Sequence, residues 1–143
     1  VAEQGWLGVA IPEEHGGLGL GGLELCVLAE EVGRAVAPIP FSSTIYFFAE
    51  AILASGSAAQ KSALLPKIAS GDLIGALAIS EGPGAPSPTS IEASFDGSKL
   101  SGVKIPVTDG DIVSNFGRAI ASRGERWAPL MPGRGVFFRV RLG

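Results

Sequence analysis

The chain has 143 residues, 46% hydrophobic and 17% charged, with a formal net charge of −3. That balance excludes a disordered chain, which carries few apolar residues and much charge, and no apolar run approaches the ~20 residues that cross a bilayer. The single cysteine, Cys26, excludes an internal disulfide and argues against a thiolate metal site. The start lacks the basic flank and apolar block of a signal peptide, so the expected compartment is the cytoplasm.

Val1 to Gly22 reads as the tail of a helix followed by a loop, because "GWLGVAIPEEHGGLGLGG" is too rich in glycine to stay helical. From Leu23 the spacing turns helical, with Leu25, Leu28, Ala29, Val32 and Val36 on one stripe and Glu24, Glu31 and Arg34 off it. The "APIP" run should end this helix. A second helix is expected over 42–55, packing through Phe41, Tyr46, Phe47, Ile52 and Leu53 and stopping at Gly56. Ser57 and Gln60 then form a capping box for a third helix through Leu64, Leu65 and Ile68 to Gly71. Pro66 inside it should kink or divide it.

At Asp72 the period changes. "LIGALAIS" is a short apolar run of the kind a buried strand shows. Ile91, Ala93 and Phe95 alternate with polar residues, "DGS" at 96–98 signals a turn, and Leu100, Val103, Ile105 and Val107 supply the next apolar set. The expected fold is α+β: an N-terminal helical bundle over 1–71, then an incomplete antiparallel β-barrel segment over 72–113.

Residues 114–143 form an atypical tail rich in Arg, Gly and Pro. From 117 onward six arginines (Arg118, Arg123, Arg126, Arg134, Arg139, Arg141) face one acid, Glu125, a balance of +5 that leaves −8 for residues 1–116. Its only strand signal lies at Val136 to Val140. The tail reads as an out-of-frame or truncated sequence. The first residue, Val1, and a single methionine, Met131, likewise read as a start inside a longer frame or a processed start. The arginines lack a nucleic-acid-binding motif, so no nucleic acid is expected. "GGLGLGG" does not follow a strand in a βαβ unit and is not a dinucleotide fingerprint. His15 has no second ligand nearby and is read as a loop residue. Glu13 and Glu14 beside it are read as a solvated turn rather than a paired acid and base.

Three ordered stretches resemble the acyl-CoA dehydrogenase family. "GWLGVAIPEEHGGLGL" is similar to its G-W-L-G-L-A-x-P-E-E-Y-G-G-L-G-L, "GSAAQKSALLPKIASGDLIGALAISE" to its G-T-E-E-Q-K segment ending in A-x-T-E, and "KLSGVKIPVTDGD" to its L-x-G-x-K-x-x-I-T-N. The resemblance covers roughly Gly5 to Asp111. It implies non-covalent FAD and removal of the α and β hydrogens of an acyl-CoA thioester as a proton and a hydride. It further implies a helical, a β-barrel and a second helical domain, oligomeric assembly, and an electron-transfer flavoprotein as acceptor. The family's general-base glutamate belongs to the second helical domain, and no residue here matches it, so no catalytic residue is assigned and the chain alone is expected to be inactive.

The resemblance also assigns site residues. Leu77, Ala78, Ile79 and Ser80 match the strand that ends in Thr-Glu and bonds the flavin ring; serine keeps the hydroxyl. Pro106, Val107 and Thr108 match the family's Trp-Ile-Thr, with Pro106 replacing the aromatic that would lie against the ring. "SEGPGAPSPTS" matches Thr-Glu-Pro-Gly-Ala-Gly-Ser-Asp if Gly82 is an insertion. Ser87 then falls at the substrate or cofactor contact, while Pro86 removes an N–H donor and conformational freedom from that loop. Two other readings stand beside this one. One is a non-catalytic, flavin-side partner in a heteromeric dehydrogenase. The other is a non-functional truncated product with exposed strand edges.

Overall fold

The computed structural model describes residues 2–83, 92–95, 100–110, 112, 115–117, 120–122 and 125–128. Glycines break the first stretch into two single 3-10 turns, Trp6–Gly8 and Glu13–His15. The chain then doubles back: Leu18, Gly19 and Leu20 donate their N–H groups to the carbonyls of Gly8, Ile11 and Val9 at 2.8–2.9 Å. Gly17 sits so close to the Ile11 backbone that any Cβ would collide with it.

Helix α1 spans Gly22–Arg34. Its first turn is held by the Glu24 carboxylate, which accepts the Gly21 N–H at 3.0 Å. Leu25 is buried and Leu28 and Val32 pack against the core, as the periodicity predicts. Val36 does not join them. The helix ends first, and Val36 stands 83% exposed with φ 46.

The second helix begins as a π-helical segment, Ser42–Ala49, and continues as α2, Glu50–Ser55. The wider turn shifts the side-chain phase from the expected 3.6-residue repeat. Ile45 and Phe48 become core residues at 1% exposure, while Phe47, expected in the core, is 52% exposed. Tyr46 packs edge-on to Phe41 at 5.7 Å and donates its hydroxyl to the Leu25 carbonyl at 2.9 Å, tying this segment to α1.

Helix α3 spans Ala58–Ser70 and opens on the expected box. Ser57 Oγ accepts the Gln60 N–H at 3.3 Å and Gln60 Oε1 accepts the Ser57 N–H at 2.8 Å. Pro66 neither ends nor divides this helix. Pro66 and Ser62, four residues earlier, both lie on the exposed side, where water can satisfy the carbonyl that proline leaves without a donor. Gly71 ends the helix with φ 82, a conformation glycine adopts without strain. The core lies between these helices, where Ile52, Leu65 and Ile68 have 0% exposure.

The strands that follow are short. β1 covers only Gly75–Leu77 of the expected run and pairs in parallel, not antiparallel, with β4, Asn115–Gly117. The long connection between them permits this, since parallel pairs need a crossover. β2 (Ser94–Phe95) and β3 (Leu100–Ser101) form the expected antiparallel pair, and β5 (Ile120–Ser122) pairs with β6 (Glu125–Ala128). Strands β4 to β6 fall where the sequence shows no alternation; backbone ladders form without it. The turn at 96–98 and the strand signal at 136–140 lie outside the described residues. Among the described residues the strands make three two-stranded pairs and no closed barrel.

β1 is fixed to the helical layer. Thr44 Oγ1 lies 3.2 Å from both the N–H and the carbonyl of Gly75. The Phe48 ring occupies the space that a Cβ on residue 75 would need.

Candidate functional site

Beyond β1 the chain runs on through Ala78, Ile79 and Ser80 to Glu81, which forms a single parallel bridge with Ile105. The Ile105 N–H donates to the Ser80 carbonyl at 2.7 Å. This pairing sets the ends of two distant segments side by side, 77–80 and 106–108. With Ser43 and Phe47 of the π-helical segment they line an open cavity of about 190 Å³.

Five of the expected cofactor residues reach this cavity: Leu77, Ile79, Ser80, Pro106 and Thr108. Ala78 and Val107 do not line it. Ala78 is 4% exposed. Val107 is half-buried. Ser87 lies outside the described residues.

The chemistry of the wall is simple. Of the described lining residues, Leu77, Ile79, Phe47 and Pro106 are apolar, and Ser43, Ser80 and Thr108 carry hydroxyls, that of Ser43 turned to Asp109. Among the described residues none of the lining side chains is a carboxylate, imidazole or amine. Such a wall suits a flat, largely apolar group with polar atoms at its edge.

Charge is concentrated behind the wall. Lys104 Nζ sits 2.7 Å from Glu81 Oε1, with only 3% and 15% of the two side chains exposed. The ammonium also donates to the Ile79 carbonyl at 3.0 Å. The Glu81 carboxylate accepts the N–H groups of Glu92 at 2.6 Å and Ala93 at 3.0 Å. Burial alone would raise the Glu81 pKa; the Lys104 hydrogen bond, the two N–H groups and the lysine charge outweigh it and hold it below its ordinary value. Here the structure reverses the expected pattern: Val103, taken as part of an apolar set, is 46% exposed and Lys104 is buried. No local signal announces this, since a lysine between valine and isoleucine reads as the exposed position of an alternating segment.

Ser43, Phe47, Glu81 and Lys104 were not expected at the site. A second anchor is Ser43, 1% exposed, whose hydroxyl lies 2.6 Å from Asp109 Oδ2, next to Thr108. His15 lies away from the cavity, 3.6 Å from Glu14 Oε1. Among the described residues no cluster of His, Cys, Asp and Glu could hold a metal ion, and no helix is long and apolar enough to cross a membrane.

This helical layer has counterparts in known proteins. The family described as acyl-CoA dehydrogenase, N-terminal domain, matches residues 1–72. Isovaleryl-CoA dehydrogenase, mitochondrial, of Arabidopsis thaliana is 43% identical over 76 residues, 52% of this chain and 19% of that protein. A variant of the Tcur3481-Tcur3483 steroid ACAD superposes with a TM-score of 0.72 at 40% identity, covering 82% of this chain and 33% of that one. A chain in the structure of the electron transferring flavoprotein of Acidaminococcus fermentans gives a TM-score of 0.68 at 28% identity, covering 80% and 32%. The chain thus spans about a fifth to a third of the length of these relatives. It belongs to the acyl-CoA dehydrogenase family.

Proposed function

We propose that this chain is the flavin-side part of an FAD-dependent acyl-CoA dehydrogenase, a type of enzyme that α,β-dehydrogenates acyl-CoA thioesters. The observation that carries the reading is the cavity itself: it joins Leu77, Ile79 and Ser80 to Pro106 and Thr108, the two segments the family resemblance assigns to the cofactor. FAD, when bound, supplies hydride acceptance; the protein supplies orientation and hydrogen bonds. Ser80 and Thr108 would hold the polar edge of the ring, and Leu77, Ile79 and Pro106 its apolar part. Pro106 offers less surface than the aromatic residue usual at that position, which weakens the expected affinity.

Among the described lining residues no group can take the α proton of a thioester, so on this reading the general base comes from elsewhere. On this reading the chain binds FAD but does not turn over acyl-CoA by itself. An assembly with other dehydrogenase subunits, as a homo- or hetero-oligomer, would complete the site. An electron-transfer flavoprotein would accept the electrons. The missing base equally favours a second reading, in which the chain is a non-catalytic, flavin-side partner of a complete subunit. A β-barrel begun within 72–113 and a cytoplasmic location belong to the same proposal.

The experiment is reconstitution of the purified chain with FAD. Quenched flavin fluorescence and a shifted visible band are expected, without turnover of any acyl-CoA. A folded chain that leaves the flavin spectrum unchanged would sink the cofactor reading, and turnover would sink the claim about the base.

A further inference from the structure

The segment carrying Ser80 is held from behind at three consecutive residues. Lys104 takes the Ile79 carbonyl and the Glu81 carboxylate, and the Ile105 N–H takes the Ser80 carbonyl. Glu81 extends the clamp to a third segment through the N–H groups of Glu92 and Ala93. All this lies directly before Pro106 and Thr108, so the same two residues that grip one wall of the cavity begin the other.

A buried ion pair is a poor source of net stability, because removing two charges from water costs about what their attraction returns. Direction is its distinctive property. An ammonium has three donors, and two are spent here on groups two residues apart along one segment. A slip of one residue between the segments would part the ammonium from the Glu81 carboxylate and leave a buried charge without its counter-charge, a costly state. The pair therefore fixes register where an apolar pair of the same volume would tolerate slippage.

We infer that Lys104 and Glu81 are positioning residues of the cavity: by locking residues 79–81 to 104–105 they set the Ser80 hydroxyl against Thr108. As a statement about a cofactor site, this rests on the flavin reading above. A staple that serves overall stability alone would predict a different response to mutation.

The test uses the whole chain and the variants Lys104→Met, Glu81→Gln and Lys104→Arg. Amide hydrogen exchange is read first, without cofactor. The Ile105 and Glu92 amides should exchange about tenfold faster or more in Lys104→Met and Glu81→Gln, corresponding to about 1.4 kcal/mol of local protection, while α1 and α3 amides keep their rates. FAD titration by flavin fluorescence is read second: affinity should fall about tenfold in both variants, with Lys104→Arg recovering to within about threefold.

Unchanged Ile105 exchange, or unchanged FAD affinity in folded variants, overturns the inference. If the unmutated chain binds no FAD, the flavin reading fails, and the exchange data alone decide whether the clamp exists. If Lys104→Met also releases the α1 and α3 amides, Glu81→Gln decides, since its amide oxygen can still accept the Ala93 N–H. Global loss of protection in both variants overturns the inference in favour of a general staple.

Discussion

The Lys104 ammonium and the Glu81 carboxylate meet 2.7 Å apart with 3% and 15% of their side chains exposed, so their attraction depends on a carboxylate that acid can neutralise. Glu81 titrates below its ordinary value of 4.5 in the folded chain, because the Lys104 hydrogen bond and two backbone N–H groups overcome the opposing effect of burial. A carboxyl with a depressed folded pKa stabilises the fold fully above its unfolded pKa and loses that contribution as pH falls through the folded value. Urea denaturation should therefore give an even contribution from this pair at neutral pH and a progressive loss below about pH 4.5. In Glu81→Gln the acid-side loss should be shallower. Parallel curves for the two proteins would show that Glu81 contributes nothing to acid sensitivity.

Gly75 and Phe48 form the contact that seats β1 on the helical layer. Phe48 is 1% exposed, and a Cβ at residue 75 would fall within its ring. Gly75→Ala should cost about 1–3 kcal/mol by overpacking, lowering the melting temperature by several degrees. Adding Phe48→Leu should recover part of the loss relative to Phe48→Leu alone, because the two changes compete for one space. Strict additivity in this double-mutant cycle would place the strain elsewhere.

Much of the helical layer was legible because local rules governed it. The Ser57 and Gln60 side chains close their box as spaced, and Gly71 stops α3 in the left-handed conformation. Misreadings came where a tertiary partner outweighed local preference. The π-helical turn moved Phe47 outward and Phe48 inward, and no residue type announces that phase change. Lys104 lies buried because Glu81, far away in sequence, supplies its counter-charge. The cavity was legible only as two separate segments; the Ser43 and Phe47 wall comes from a helix that periodicity assigns to packing.

Pro66 marks another limit of local reading. Proline in a helix interior costs about 3 kcal/mol relative to alanine, yet α3 runs through it unbroken. Pro66→Ala should stabilise the chain by about 1–3 kcal/mol, since it restores an N–H to the helix and the residue is solvent-exposed. Equilibrium denaturation checks this. Destabilisation would mean that Pro66 makes contacts in the groove it shares with His15 and Lys61 that outweigh its helical cost.

The Ser43 hydroxyl and Asp109 anchor the far wall of the cavity. The hydroxyl has one proton and two neighbouring acceptors, Asp109 Oδ2 at 2.6 Å and the Pro40 carbonyl at 3.1 Å; the charged and closer acceptor should take it. Asp109 also carries φ 55, a left-handed conformation that aspartate tolerates better than most residues and glycine best. Three variants separate these effects. Ser43→Ala loses the hydrogen bond and should cost about 1.5–3 kcal/mol. Asp109→Ala loses the same bond and places a residue without a stabilising side chain in the left-handed region, adding about 1 kcal/mol. Asp109→Gly loses the bond but relieves the backbone, so it should be the milder of the two Asp109 changes. Thermal denaturation ranks them, and Asp109→Gly melting below Asp109→Ala would show that backbone strain plays no part. The same series bears on the site, because Asp109 follows Thr108 directly. Under the flavin reading, Ser43→Ala should weaken FAD binding as well as the fold, and intact affinity in a destabilised variant would mean that Thr108 is held by its own segment alone.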